Sequence, residues 1–163
     1  MKSVHVAVAR SIKSAMVDKE RFKLIPSVYI LLIQDNKILL LRRINTGYED
    51  GNYGLVAGHA DGGETMRKAM AREAFEESGI KINTDDLDLV LTMHRWCGDH
   101  ERVDFFFTVK KYNGEVKIME PEKCDDLSWF KLNKLPENTI PYIRAAIDCY
   151  QKGEGYCEFG WGK

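Results

Sequence analysis

Three glutamates near the end of a predicted helix are the residues of this sequence that most suggest chemistry: Glu73, Glu76 and Glu77. In a helix of about 3.6 residues per turn, positions i, i+3 and i+4 lie on one face, so the three carboxylates can reach a shared ion. Like charges at these spacings destabilise an isolated helix by roughly 0.2–0.5 kcal/mol per pair, and acids in the last turn face the negative end of the helix dipole. A divalent cation with oxygen ligands would reverse both penalties. The cluster therefore indicates a metal site, in preference to a solvated acidic face.

The predicted direction of two of these carboxylates supports the same interpretation. At about 100° per residue, Glu73 and Glu77 project along the helix stripe that also carries Met66 and Met70. That stripe is the one we expect to be buried, whereas a solubilising acidic face would lie opposite it. Local rules that are broken without local compensation are expected where function supplies the compensation.

The helix that carries the glutamates has recognisable ends. Thr65 is a suitable N-cap, and the pattern predicts a helix that runs through Ser78. Gly79 follows, and glycine is suited to the left-handed conformation in which many helices terminate. The acidic cluster is therefore predicted to occupy the last turn and a half of a single helix.

A tight loop leads into this helix. Gly62 and Gly63 form the turn, and Glu64 stands at the helix entrance. Arg72, two turns later, can fold back toward the loop or orient a neighbouring carboxylate. Together with the acidic cluster, these residues predict a metal site built from a loop and a helix.

The elements around this helix are predicted to be mainly strands. Runs rich in aliphatic, β-branched and aromatic residues predict strands at Ser27 to Ile33, Lys37 to Leu41, Leu87 to Trp96 and Val103 to Tyr112, with a hairpin turn at Gln34 to Asn36. A second helix is predicted from Ile140 to Gln151. Strands outnumber helices and are mostly linked as hairpins, which favours an α+β sandwich over a parallel Rossmann sheet.

Composition limits the classes of function. A chain of 163 residues, 44% of them hydrophobic, is typical of one globular domain. The 24 basic and 25 acidic residues nearly cancel, so we expect neither a nucleic-acid nor a membrane partner. Four widely spaced cysteines without a C-x-x-C pair predict neither a zinc site nor a redox dithiol. With no signal-peptide core and no apolar run near the roughly 18 residues that span a bilayer, we expect a soluble cytoplasmic protein.

The stretch from Gly58 to Ile80 resembles the Nudix box, G-x5-E-x7-R-E-U-x-E-E-x-G-U, where U is an aliphatic residue. The specified places are filled by Gly58, Glu64, Arg72, Glu73, Ala74, Glu76, Glu77, Gly79 and Ile80, with Ala74 taken as a small aliphatic. Many members have Pro-Gly-Gly at the start of the box, where this chain has Ala57-Gly58-His59. The resemblance extends over nearly all of the chain past its first 22 residues, which we expect to be an N-terminal extension followed by a Nudix domain at residues 23–163.

The resemblance implies a fold, a cofactor and a reaction. The fold would be the Nudix α/β/α sandwich around a mixed, largely antiparallel sheet. Glu73, Glu76 and Glu77 would hold Mg²⁺, with Mn²⁺ as a substitute, while Glu64 and Arg72 would support the loop and helix. The family hydrolyses nucleoside diphosphates linked to another group: metal ions neutralise the diphosphate and a carboxylate-activated water attacks phosphorus in line.

Three residues outside the acidic cluster are candidates for substrate contacts. Similar enzymes hold a substrate phosphate with an arginine at the end of the strand KILLLRR, which makes Arg42 the candidate and Arg43 its control. His59 is a candidate phosphate or metal-shell contact. Asn138 lies where MutT-type hydrolases of oxidised purine nucleotides present an asparagine to the base, but asparagine is equally an ordinary helix N-cap.

Related hydrolases also take a further metal-binding or base glutamate from a loop before a late strand. In the stretch IMEPEKCDDLSWF, both Glu120 and Glu122 are candidates for this role. The resemblance does not separate the two.

The function that the resemblance implies is a metal-dependent pyrophosphohydrolase acting on a small nucleotide, first a nucleoside triphosphate or its oxidised purine form. ADP-ribose or another nucleotide sugar is the second choice, and a non-catalytic nucleotide-sensing Nudix domain is the rival from another class. The sequence lacks the short signatures of family members that act on NADH or coenzyme A. It leaves open the physiological substrate and whether the chain forms a homodimer.

Overall fold

The computed structural model describes residues 21–162. Residues 1–20, which make up all but the end of the predicted N-terminal extension, lie outside the described residues. The strands are β1 (Ile25–Ile30), β2 (Ile33–Gln34), β3 (Lys37–Arg43), β4 (Tyr53–Gly54), β5 (Ala57–His59), β6 (Leu87–Trp96), β7 (Glu101–Val109), β8 (Cys124–Lys131) and β9 (Tyr156–Phe159). The α-helices are α1 (Met66–Ser78) and α2 (Pro141–Gln151), and a short 3-10 helix spans Thr84–Asp86.

The strands form two sheets. The larger has the order β5-β1-β7-β6-β9 and is mixed, because β1 pairs in parallel with β7 and β6 with β9, whereas β1–β5 and β6–β7 are antiparallel. In the smaller sheet β3 pairs antiparallel with β2, β4 and β8. This arrangement confirms the predicted α+β fold with a mixed sheet.

The first predicted hairpin is smaller than the sequence pattern indicated. Its turn is at Asp35 and Asn36, whose φ angles of 48° and 59° are those of the tight turn that joins antiparallel strands with their natural twist. Only β2 pairs across this turn with β3. The run predicted as one strand from Ser27 to Ile33 is divided, because β1 ends at Ile30 and belongs to the other sheet.

Alternation along β1 explains the layers of the sandwich. Val28 and Ile30 are buried in one apolar cluster, with Ala69 and Met70 of α1, whereas Tyr29 belongs to a second cluster. That second cluster contains the buried face of α2, namely Tyr142, Ile143, Ala146 and Ile147. A helix therefore covers each side of the strands, which is the predicted α/β/α sandwich.

The ends of α1 follow the sequence prediction. The Thr65 hydroxyl accepts a hydrogen bond from the Lys68 amide at 3.3 Å, and Gly79 has φ 74° and donates its amide to the Phe75 carbonyl at 3.0 Å. Helix α2 begins at Pro141, one residue later than predicted. Strand β6 has the predicted bounds, while β7 begins two residues earlier and ends three residues earlier than predicted. Between residues 21 and 162, no helix has the length and apolar character needed to cross a membrane.

Candidate active site

The acidic residues of α1 line a cleft of about 750 Å³, a size typical of small-molecule sites. The cleft is bounded by residues of β1, β3, β5 and α1, by the segment before β8 and by the start of α2. Five acidic residues line it, namely Asp61, Glu73, Glu76, Glu77 and Glu120. The fold therefore brings the three clustered glutamates together with one acid that is more than 40 residues away in sequence.

Glu77 is fixed against β5. Its Oε2 accepts a hydrogen bond from the Ala57 amide at 2.9 Å. Burial, reinforced by the negative charges of Glu73 and Glu120, raises the pKa of Glu77 from 4.5 to about 8. Within residues 21–162 no basic side chain forms an ion pair with it. Among the glutamates of this cleft, Glu77 is therefore the one that has no ion-pair partner in the described residues.

Glu73 depends on the glycine that opens the box. A Cβ atom at position 58 would collide with the Glu73 carboxylate, so only glycine leaves room for it. The carboxylate also accepts a hydrogen bond from Arg72 Nη1 at 2.7 Å. Burial raises the pKa of Glu73, while Arg72 acts in the opposite direction. Gly58 thus has a steric function that follows directly from the position of a neighbouring acid.

Arg72 links the loop to the helix. Its Nη2 donates to Glu64 Oε1 at 2.8 Å and to the His59 carbonyl at 3.1 Å. Its Nη1 donates to Glu76 Oε2 at 3.1 Å as well as to Glu73. Glu64 in turn accepts the Asp61 amide at 2.8 Å, and the Arg72 guanidinium lowers the pKa of Glu64. These contacts are those expected of residues that support the loop and helix.

The oxygen donors of the cleft fit a hard divalent cation, although the carboxylates are not arranged around a common point. Among the described residues, no three His, Cys, Asp or Glu side chains stand at metal-binding distances from a common point. Ion pairs with basic side chains account for the separation of the carboxylates. Arg72 pairs with Glu73 and Glu76, and Lys123 Nζ pairs with Glu120 Oε1 at 2.7 Å. Four glutamate carboxylates that have only two basic partners among the described residues, Arg72 and Lys123, have the oxygen chemistry that Mg²⁺ prefers.

The structure separates the two candidate acids of the late loop. Glu120 lines the cleft and acts on the pKa of both Glu73 and Glu77. Glu122 does not line it; its backbone carbonyl accepts a hydrogen bond from Asn45 Nδ2 at 3.1 Å. The geometry favours Glu120 for the role that the sequence left open.

The two arginines at the end of β3 are placed contrary to the sequence expectation. Arg42 does not line the cleft, because its guanidinium forms a bidentate pair with Asp125 at 2.7 and 2.9 Å. Arg43 does line it, and its positive charge acts on Glu77. The β-sheet register shifts between these two residues, so simple alternation does not describe the end of the strand. The geometry therefore favours Arg43 over Arg42 as the candidate phosphate contact.

The remaining two candidates are placed differently from each other. His59 lines the cleft, and its pKa is lowered by burial and by the nearby Arg102. Asn138 does not line it, since its side-chain amide donates to the Gly51 carbonyl at 2.7 Å. Neither proposed role of Asn138 matches this contact, because the N-cap position of α2 is Ile140.

The sequence patterns did not indicate Tyr48 and Arg102 as cleft residues. Tyr48 lines the cleft from a loop that is rich in turn-forming residues, and Arg102 lines it from β7. The available signal was the stretch ERVDFFF, in which Arg102 and Asp104 precede Phe106 on one face of a strand whose second half is apolar. Charged residues inside such a strand are rarely placed there for packing alone.

A mixed sheet between two helices, with a loop and helix that present clustered glutamates to a cleft, defines the class of Nudix proteins, which hydrolyse pyrophosphate bonds and generally use divalent metal ions. The NUDIX domain family model matches residues 23–148. The chain therefore belongs to the Nudix family, as its acidic box predicted.

The individual curated relatives share only 28% sequence identity with this chain. The NAD-capped RNA hydrolase NudC of Salmonella heidelberg (strain SL476) is 28% identical over 145 residues, which cover 80% of this chain and 54% of the relative. The protein of the same name from Stutzerimonas stutzeri (strain A1501) is 28% identical over 114 residues, covering 70% and 39%. The chain thus spans about half the length, or less, of these curated relatives.

Two solved structures match over nearly their whole length. The MutT NUDIX hydrolase from Burkholderia pseudomallei has a TM-score of 0.71 and 26% identity, covering 77% of this chain and 97% of that one. The MutT protein from Methanosarcina mazei Go1 has a TM-score of 0.69 and 24% identity, covering 82% and 96%. The second similarity concerns the fold alone.

Proposed function

We propose that the protein is a metal-dependent pyrophosphohydrolase that cleaves a diphosphate linkage in a small nucleotide, with Mg²⁺ as cofactor and Mn²⁺ as a substitute. The observation that carries this proposal is the meeting of Glu73, Glu76, Glu77 and Glu120 in one cleft that Arg43 also lines. A sensor domain would gain nothing from this accumulation of mutually repelling carboxylates, which disfavours the non-catalytic alternative.

Glu73, Glu76 and Glu77 would hold the cation, which when bound supplies positive charge against the diphosphate oxygens. Arg43 would donate to a phosphate oxygen through its guanidinium. Glu120 Oε2, the oxygen that Lys123 does not hold, is the proposed acceptor of the proton from the attacking water. The water oxygen bonds to phosphorus, the anhydride P–O bond breaks, and the departing phosphate takes the electron pair.

The substrate we propose first is a nucleoside triphosphate, including oxidised purine forms, cleaved to monophosphate and pyrophosphate. ADP-ribose and other nucleotide sugars remain the alternative. The curated relatives add one further candidate, an NAD-type dinucleotide. They are named as hydrolases of NAD-capped RNA and match 70–80% of this chain. We propose small nucleotides in preference to RNA, since the chain has nearly balanced charge.

The test is a product-identified hydrolysis screen over the four nucleoside triphosphates, 8-oxo-dGTP, ADP-ribose and NAD, each with Mg²⁺ and with Mn²⁺. We expect turnover of at least one nucleotide, with cleavage inside the diphosphate and strict dependence on the metal. Absence of metal-dependent cleavage for every compound would reject the proposed function.

A further inference from the structure

The cleft holds a second set of residues beside the carboxylates. None of its members is acidic. Among them, the tyrosine with the largest exposed fraction is Tyr48, at 47%. The others that matter are Ser27, Tyr29, Arg102, Ile140 and Tyr142. None of these residues has a part in holding the cation, so this half of the cleft is free for another portion of a ligand.

Tyr48 is an exposed ring on a fixed backbone. Its amide donates to Thr46 Oγ1 at 3.3 Å, and its carbonyl accepts from Thr46 Oγ1 and from Arg43 Nε, both at 2.9 Å. Asp50 stabilises the same loop by accepting the amides of Thr46 and Gly47. Because the backbone is held in place, ordering this ring against a ligand costs little conformational entropy.

The Tyr48 side chain is exposed, which makes its ring available for stacking. The Arg43 guanidinium lies 5.7 Å from the ring centroid. Among residues 21–162, no other aromatic ring stacks on Tyr48. An exposed tyrosine in a cleft that also binds phosphate is suited to a flat ligand attached to that phosphate.

Arg102 supplies hydrogen-bond donors to the same cleft. Its Nε donates to His100 Nε2 at 3.1 Å, and its Nη1 lies 3.5 Å from Ser27 Oγ, at the limit of a hydrogen bond. In the described part of the chain it forms no ion pair with a carboxylate, and its Nη2 makes no hydrogen bond. A half-buried guanidinium with unused donors is suited to an oxygen acceptor on a ligand.

A buried ion pair lies beside these residues. Asp104, which is next to Ser27 across the strands, is fully buried and accepts Arg95 Nε at 2.7 Å. The Arg95 guanidinium lies 3.7 Å from the centroid of the Tyr142 ring. Asp104 Oδ1 has no hydrogen-bond partner, although the Ser27 hydroxyl is close enough to lower the pKa of the carboxyl group.

Such a pair is costly to bury and is not required for packing. Its Arg95 also donates to the Tyr29 hydroxyl at 3.3 Å, so one network reaches three cleft residues, Ser27, Tyr29 and Tyr142. The network therefore lies beneath the part of the cleft that Arg102 also lines.

We propose that this half of the cleft is a nucleobase subsite, in which Tyr48 stacks on the base and Arg102 donates a hydrogen bond to a carbonyl oxygen on its edge. The proposal deepens the proposed function and rests on it for the position of the phosphates. Guanine, cytosine and uracil carry a carbonyl oxygen, whereas adenine has none and presents an amino donor that a guanidinium repels. The subsite therefore favours the first three bases over adenine.

The test is calorimetric binding of nucleoside 5′-monophosphates in Mg²⁺, because these compounds have no diphosphate to cleave. The parent protein should bind GMP, CMP and UMP more tightly than AMP. Tyr48→Ala should weaken all four by about tenfold, since stacking depends little on base identity, and Tyr48→Phe should bind like the parent. Arg102→Ala should weaken GMP, CMP and UMP by about tenfold and leave AMP nearly unchanged, and Arg102→Lys should restore only part of the loss.

Ribose 5-phosphate, which has no base, is the matched ligand, and its affinity should be the same for every variant. Tyr156→Ala, an exposed tyrosine outside the cleft, is the matched protein control. Equal loss of ribose 5-phosphate and GMP, unchanged binding by Tyr48→Ala, or discrimination against AMP that survives in Arg102→Ala would overturn the subsite. Failure of hydrolysis would instead count against the proposed function, because binding of monophosphates needs no turnover.

Discussion

The Glu77 carboxylate accepts a hydrogen bond from the Ala57 amide at 2.9 Å, which joins the last turn of α1 to β5. This contact fixes the most deeply set acid of the box at the edge of the five-stranded sheet. The acidic last turn of α1 would be unfavourable in an isolated helix, and this contact holds it with the Glu77 carboxylate in the cleft.

The first prediction concerns the steric function of Gly58. In Gly58→Ala the new methyl group displaces the Glu73 carboxylate, so Mg²⁺ affinity and kcat should fall by about tenfold or more. Gly62→Ala is the matched control, because nothing lies within 4 Å of a Cβ there. Mg²⁺ titrations of the two variants give the comparison, and equal affinities would refute the steric explanation.

The second prediction concerns stability and pH in chelator-treated protein. The Glu77 pKa is raised from 4.5 to about 8, so between these values the folded state binds more protons than the unfolded state. Stability must then fall as pH rises through this window. Melting curves of Glu77→Gln should lack that part of the decline. If the parent and this variant show the same dependence on pH, Glu77 is not held in the environment described.

The third prediction separates the arginines of β3. Arg43→Ala should raise KM for the nucleotide by about tenfold, since a charge-assisted contact is lost, and Arg43→Lys should recover only part of it. Arg42→Ala should leave KM unchanged, because Arg42 is paired with Asp125 outside the cleft. Arg43 also holds the Tyr48 loop, so melting curves accompany the kinetics. The reverse pattern of KM would restore the original assignment to Arg42.

The fourth prediction concerns Asn138. Its hydrogen bond to the Gly51 carbonyl joins two loops, so Asn138→Ala should lower the free energy of unfolding by about 0.5–1.5 kcal/mol. The ratio of kcat/KM between purine and pyrimidine nucleotides should not change. A lost preference at unchanged stability would show that Asn138 reads the base after all.

Local patterns predicted the elements well. Thr65 and Gly79 mark the ends of α1 because caps depend on a few adjacent residues, and β6 has its predicted bounds because it is one run rich in aliphatic and aromatic residues. Spacing on one helix also brought Glu73, Glu76 and Glu77 together. Features that depend on residues close in sequence were therefore predictable.

Features that depend on how distant segments meet were not. The choice between Arg42 and Arg43 depends on a register shift against β8. The choice between Glu120 and Glu122 depends on where a loop crosses the cleft, and the Arg95–Asp104 pair depends on the pairing of β6 with β7. No periodicity in a single sequence carries this information.

The most direct test of the central claim is the rate of nucleotide hydrolysis as a function of Mg²⁺ concentration in chelator-treated protein, for the parent, Glu76→Gln and Glu77→Gln. The parent should be inactive without metal and recover along a saturable curve. Each variant should lose most of its turnover at every Mg²⁺ concentration, while its metal-free melting temperature stays equal or rises because like-charge repulsion is relieved. Hydrolysis that persists in excess chelator, or both variants turning over at the parent rate, would contradict the assignment of this cleft as a metal-dependent active site.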